Sequence, residues 1–139
     1  MILLDTNILS ELTKPVADRK VEAWFQTQPI MNLYLCDIVV MEQSYGAERF
    51  FLRTRSYRYI QMFNEQLVSF RGRILRFDHQ SAIETGRIRA RRERTGHQIS
   101  VQDAMIAAIC LGHGATLATR NTKDFEGVDL KLVNPFEGG

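Results

Sequence analysis

Four acidic side chains stand where a strand should end or a helix begin: Asp5, Glu42, Asp103 and Asp124. Asp5 closes the apolar run Met1-Ile2-Leu3-Leu4 and is followed by Thr6-Asn7. Glu42 opens a Glu-x-x-x-Gly step to Gly46 inside an apolar helical stretch. Asp103 sits in Ile99-Ser100-Val101-Gln102-Asp103-Ala104, and Asp124 ends Thr119-Arg120-Asn121-Thr122-Lys123 before Phe125. Brought together, such carboxylates would make a site for a hard divalent cation and little else. Two carboxylates about 5 Å apart repel by roughly 3 kcal/mol at an effective dielectric near 20. A group of four therefore persists only with a bound cation or with some members protonated. His79, His97 and His113 stand apart and neither cysteine has ligand spacing. Oxygen-only ligation favours Mg²⁺ or Mn²⁺ over zinc or copper, so the expected chemistry is metal-dependent hydrolysis of a phosphodiester.

Each acid also has a plainer explanation. Asp5 can cap the helix that follows it. Asp103 completes Ser100-x-x-Asp103, a capping-box spacing. Asp124 can steady the loop Asn121 to Phe125. Glu42 is harder to dismiss: it lies between Val39-Val40-Met41 and Tyr45-Gly46-Ala47, where burial is expected, with no basic residue three or four positions away. A buried, unpaired carboxylate is costly and normally takes up a proton or finds a cation.

The elements that must position these acids are short. Met1–Leu4 is a continuous apolar run, as in a strand buried on both faces. Helical spacing is expected from Thr6 to Leu12 and from Asp18 to about Thr27, with breaks at Pro15 and Pro29. A second strand is predicted at Leu33–Cys36, then a helix from Ile38 to about Leu52 with Asp37 as its N-cap. A helix from about Ser56 to Phe70 completes a helical hairpin. A third strand is predicted at Ile74–Phe77, then a helix from about His79 to Arg94 with a small-residue stripe (Ala82, Gly86, Ala90) for close packing and an arginine-rich opposite side. Ser100 to Leu111 is the most apolar helix, ended by Gly112 and Gly114. Strands at Ala115–Thr119 and Leu130–Val133 close the chain. Short apolar strands alternating with helices predict an α/β sandwich around a parallel sheet.

At 139 residues the chain is expected to be one domain, residues 1–139. No apolar stretch is long enough for a membrane span, and the chain starts directly on a strand, so no signal peptide is expected. Cys36 and Cys110 lie in apolar contexts and read as buried thiols of a cytoplasmic protein. Net charge is only +2, yet residues 49–94 hold twelve arginines against four acids, or +8, and the remainder carries −6. Arginine outnumbers lysine fourteen to four, and its planar fork suits phosphate. A basic middle beside acidic flanks fits a polyanion-facing surface next to an acidic centre, or simply solvated helix faces.

With these blocks in place, the chain resembles PIN-domain proteins of the VapC/FitB toxin type. The resemblance rests on Leu3-Leu4-Asp5-Thr6-Asn7, on Ile99 through Ala108, on Leu117 through Phe125 and on the closing Leu132-Val133-Asn134-Pro135-Phe136, in the right order with Glu42 between. It implies a PIN-like three-layer sandwich, a central short parallel sheet flanked by helices. It implies an Mg²⁺- or Mn²⁺-dependent endoribonuclease, the toxin of a toxin–antitoxin pair, forming a homodimer and a heteromeric complex with a cognate antitoxin that can place a basic side chain in the acidic pocket. Asp5, Glu42, Asp103 and Asp124 match the family's acidic quartet as catalytic and metal-binding residues. Asn7, Thr119 and Asn121 match supporting polar positions. Arg120, together with Arg87, Arg91 and Arg94, is a candidate for holding RNA. Asp37 stands where the family often has serine or threonine, and Gln102 where a small or acidic residue is common.

Other functions remain open at this level. Carboxylates do not distinguish RNA from DNA, so a structure-selective DNA nuclease shares the prediction. A nucleic-acid-binding regulator without cleavage is a second possibility. A two-carboxylate glycosidase leaves four acids and the arginines unexplained. The aromatic residues of the helical hairpin (Tyr45, Phe50, Phe51, Tyr57, Tyr59, Phe63) are expected to pack the core or to line a groove for an antitoxin helix.

Overall fold

Leu3 and Leu4 are neighbours on one strand, yet both are fully buried. Successive strand residues point to opposite faces, so the sheet they belong to is covered on both sides. Leu35 with Cys36 and Leu117 with Ala118 repeat the pattern. Continuous apolar strands of this kind belong to parallel sheets between helical layers, as the computed structural model shows. It describes residues 1–138, and Gly139 lies outside the described residues.

The order is β1 (Ile2–Leu4), α1 (Thr6–Leu12), α2 (Arg19–Thr27), β2 (Leu33–Cys36), α3 (Asp37–Thr54), α4 (Arg58–Ser69), β3 (Ile74–Leu75), α5 (His79–Arg94), α6 (Val101–His113), β4 (Thr116–Ala118) and β5 (Lys131–Val133). Short 3-10 turns occur at Ile30–Asn32, Thr122–Phe125 and Pro135–Glu137. The five strands form one sheet in the order β3-β2-β1-β4-β5, with parallel pairing throughout. The chain winds outward from β1 to β3, returns through α5 and α6, and adds β4 on the other side of β1. That reversal places a topological switch point between β1 and β4, and ligands of open parallel sheets bind beyond the strand ends at such a point.

Local chemistry sets the boundaries. Asp18 caps α2 by accepting from the N–H groups of Lys20 and Val21, at 2.8 and 3.2 Å. Asp78 caps α5 through Ser81 N–H at 2.8 Å. Ser100 caps α6 through Asp103 N–H at 3.1 Å. Gly114, at φ 63°, ends α6 in the left-handed conformation that glycine adopts without a Cβ clash. Cys36 and Cys110 are buried free thiols, and burial raises the Cys36 pKa to about 11.

Three expectations need correction. Asp37 is not the N-cap of α3: Cys36 occupies that position, and the Asp37 carboxylate accepts from Phe77 N–H at 3.0 Å. β3 is also shorter than predicted: β2 ends at Cys36, opposite Leu75, so only Ile74 and Leu75 are in the ladder and the Phe77 N–H turns to the Asp37 side chain. The buried face of α5 is Ser81, Thr85, Ile88 and Arg92, whereas Ala82, Gly86 and Ala90 are exposed.

Two of the twelve clustered arginines are also not surface charges. Arg73 is buried and donates to the carbonyls of Ile30, Leu33 and Ser69. Arg92, likewise buried, donates to carbonyls of His97, Asp124 and Glu126.

Candidate active site

Asp5 leaves the end of β1 at the switch point and serves as the N-cap of α1. Its backbone N–H donates to Ala118 O at 2.9 Å, extending the β1–β4 contact by one residue. Asp5 is 5% exposed. Oδ1 accepts from Thr6 N–H at 2.8 Å, and Oδ2 accepts from the Thr119 hydroxyl at 2.8 Å and from Asn7 Nδ2 at 3.4 Å. Burial pushes the Asp5 carboxyl above its ordinary range; the hydrogen bonds from Thr119, Thr6 N–H and Asn7 pull it down, and the charge of Glu42 raises it further.

Thr119, fully buried at the end of β4, organises the opposite wall. Its hydroxyl donates to Asp5 and accepts from Asn121 N–H at 3.1 Å and from Asn7 Nδ2 at 3.4 Å. Asn7 Oδ1 accepts from Arg120 N–H at 3.1 Å. Asn7 and Thr119 thus lock the first turn of α1 to the start of the loop after β4, with Asp5 between them. Asn121 enters through its backbone.

Glu42, on the second turn of α3, is half-buried, not enclosed as its apolar neighbours suggested; Met41 and Tyr45 beside it are exposed. Glu42 Oε1 accepts from the Thr6 hydroxyl at 2.6 Å. Thr6 therefore holds two acids at once, Asp5 by its N–H and Glu42 by its hydroxyl. It escaped selection in the sequence because its place in Asp5-Thr6-Asn7 reads as the first residue of a helix; the hydroxyl one position after a capping acid was the available signal.

Asp103 is half-buried in the first turn of α6. Burial and the negative charge of Asp5 raise its carboxyl pKa, Ser100 opposes this, and Asp124 raises it again. Asp124 is exposed on the 3-10 turn after β4. The four acids are thus linked by their fields: Glu42 acts on Asp5, and Asp5 and Asp124 act on Asp103. Among the described residues none of the four is in a salt bridge. Nor do any three histidine, cysteine, aspartate or glutamate side chains form a group placed to hold an ion as they stand. Thr6, Asn7 and Thr119 occupy oxygens of Asp5 and Glu42.

The donor chemistry nonetheless suits a hard cation. The acids contribute oxygens alone, and Cys36, near enough to feel Asp5, is held as a neutral thiol by a pKa of about 11. Of the candidate RNA-holding arginines, Arg87 and Arg91 are exposed and pair with Glu84 at 3.7 and 3.5 Å, and Arg94 is exposed. Arg120 stacks on the Phe136 ring, 4.4 Å from its centroid. A cleft of about 550 Å³ runs from Thr6 and Glu42 to Phe50, Tyr59, Met62 and Phe63 of the helical hairpin. Phe50, Tyr59 and Phe63 thus line a groove that opens on the acidic site.

The PIN domain family matches residues 2–131. The chain is 37% identical over 138 residues to "VapC ribonuclease Y4jK" of Sinorhizobium fredii, covering 99% of each protein. It is 36% identical to "Toxin FitB" of Neisseria gonorrhoeae, covering 98% of this chain and 99% of that one. The crystal structure of FitAcB from Neisseria gonorrhoeae matches 98% of this chain and 99% of its own, with a TM-score of 0.88. A five-stranded parallel sheet flanked by six helices is the architecture shared with that structure. The chain belongs to the PIN-domain family, alongside the VapC and FitB toxins.

Proposed function

We propose that this chain is a divalent-metal-dependent endoribonuclease and the toxin of a toxin–antitoxin pair. The observation that carries the reading is Asp5: a buried carboxylate at the sheet's switch point, raised in pKa by burial and by the charge of Glu42, and raising Asp103 in turn by its own charge. Groups so placed are poised for a cation and a phosphate, and carboxylates perturbed by burial and by neighbouring acids are candidates for functional sites. The names of relatives, a ribonuclease and a toxin, support the same reading.

In this reading Asp5 and Asp103 hold Mg²⁺ or Mn²⁺, with Glu42 and Asp124 acting directly or through water. The bound ion supplies Lewis acidity and an activated water. The protein's own part is orientation. Thr119, Asn7 and Thr6 N–H fix both oxygens of Asp5, and Thr6 Oγ1 aims Glu42 toward the same edge. No side-chain nucleophile is required, and the expected product ends are 5′-phosphate and 3′-hydroxyl.

The groove between the acidic site and the hairpin aromatics supports an antitoxin segment that lays apolar side chains on Phe50, Tyr59 and Phe63 and directs a basic one toward Glu42. The reading includes a homodimer. Purified protein should cleave RNA with Mg²⁺ or Mn²⁺ and lose cleavage on adding a chelator. Mapping RNA ends after induction of wild type and Asp5→Asn should show 5′-phosphate ends with wild type only; equal cleavage by both would overturn the assignment. Cleavage of DNA but not RNA under the same conditions would move the activity to a DNA nuclease.

A further inference from the structure

We propose that Arg92 is a positioning residue that sets the spacing between Asp103 and Asp124. The inference rests on reading these acids as part of the hydrolytic centre. Arg92 lies in the last turn of α5 and is 8% exposed. Its Nε donates to His97 O at 2.7 Å, one terminal nitrogen donates to Asp124 O at 3.2 Å, and the other donates to Glu126 O. Its own carbonyl accepts from His97 N–H at 3.0 Å and from the Thr95 hydroxyl at 3.0 Å.

These partners belong to two separate stretches of backbone. His97 lies in the connection that leads through the cap Ser100 to Asp103 in α6. Asp124 and Glu126 belong to the turn after β4. One guanidinium therefore ties the approach to Asp103 to the backbone of Asp124 itself. Gly127, which follows Glu126, adopts φ +83°, a conformation glycine takes without strain, and lies beside the Arg92 terminal nitrogen. Below the turn, Phe125 is 1% exposed and anchored in the core. Asp124 is thus held on one side by an apolar plug and on the other by Arg92, leaving its carboxylate exposed. A rigid planar fork suits this task; a lysine ammonium would not span three diverging carbonyls. Groups that orient metal ligands typically change metal affinity 10–100-fold when removed.

The test compares Arg92→Met and Arg92→Lys with Arg73→Met, which removes a second buried, carbonyl-bound guanidinium beside β2 and β3. Mn²⁺ binding by calorimetry, amide hydrogen exchange of the metal-free protein and steady-state RNA cleavage are measured. Both Arg92 variants should bind Mn²⁺ about 10–100-fold more weakly, exchange the amides of residues 122–126 faster, and lose kcat with KM for RNA unchanged. Arg73→Met should lower the melting temperature without altering Mn²⁺ affinity or exchange in that turn. Should Arg92→Met fail to fold, Arg92→Lys carries the comparison. Wild-type Mn²⁺ affinity and turn exchange in a folded Arg92 variant would overturn the proposal. If wild type itself binds no Mn²⁺, the metal reading fails, while the exchange measurement still decides whether Arg92 holds the turn.

Discussion

Thr119 Oγ1 and Asp5 Oδ2 are 2.8 Å apart although 114 residues separate them in the chain. The bond joins the ends of β4 and β1 and places a neutral donor on a buried carboxylate. Thr119→Val keeps the shape but removes that donor, and also the acceptor used by Asn121 N–H. Hydrogen bonds to charged groups contribute about 1.5–3 kcal/mol, so urea denaturation at neutral pH should show a loss of that size. Thr119→Ser should retain most of the stability and the metal response. A Thr119→Val protein as stable and as active as wild type would contradict the role assigned to the hydroxyl.

Asp5→Asn and Asp103→Asn should abolish cleavage while leaving the fold intact. Both carboxyls have folded-state pKa values above their ordinary range because burial disfavours the charge. The folded protein therefore holds these protons more tightly than the unfolded chain does, and metal-free stability falls as pH rises through the folded values. Asp5→Asn should flatten this part of the pH profile and melt at or above wild type without metal. Saturating Mn²⁺ should raise the melting temperature of wild type and not of the variant.

Glu11, the last acid of α1, joins α1 to α2: its carboxylate accepts from Lys14 Nζ and from Asp18 N–H, both at 2.9 Å. The Lys14 bond, then the Asp18 N–H, hold its pKa below the usual glutamate value. Its contribution is present above the unfolded pKa and is lost as pH falls through the lower folded value. Glu11→Gln should cost about 1 kcal/mol at neutral pH, remove that acid-side loss from the denaturation profile, and leave RNA cleavage unchanged.

Replacing Arg87, Arg91 and Arg94 together by alanine should raise KM for RNA and leave kcat nearly unchanged. Each lost phosphate contact on a single strand reduces the salt slope of binding by about 0.7, so three contacts reduce it by about 2. An unaltered slope would mean these side chains are solvated and serve only the α5 surface, as the Glu84 pairs already do in part.

The fold was largely legible because its strands are short, apolar and separated by capped helices. Asp18, Ser100 and Gly114 each announce a boundary that the structure keeps. Legibility failed where a side chain took over a backbone partner. β3 ends two residues early because its partner β2 turns into a helix after Cys36, Asp37 takes the N–H of Phe77, and no local periodicity encodes a bond between residues forty apart. On α5 the small residues suggested the packing face, yet Ser81 and Thr85 are buried there because their polar groups can be satisfied within the helix, as Thr85 Oγ1 does on Ser81 O at 2.7 Å. Charge counting placed Arg73 and Arg92 on the surface because a guanidinium caged by carbonyls looks, in sequence, like any other cation. Asp5, Asp103 and Asp124 stand out by their places near element ends, and Glu42 by its place among apolar helical residues with no basic neighbour. Thr6 was not, since its importance lies in a 2.6 Å contact with Glu42 thirty-six residues away.

The parallel pairing of β1 with β4 means that Ile2 to Leu4 wait in the growing chain for Thr116 to Ala118, which are made much later. Until Thr116 to Thr119 have left the ribosome, Asp5 lacks the hydroxyl that holds it and the sheet lacks its central partner on that side. A chain cut short before Thr116 therefore lacks both the β4 partner of β1 and the hydroxyl that binds Asp5. The setting of the Asp5 carboxylate is thus assembled only once β4 has been made and has paired with β1.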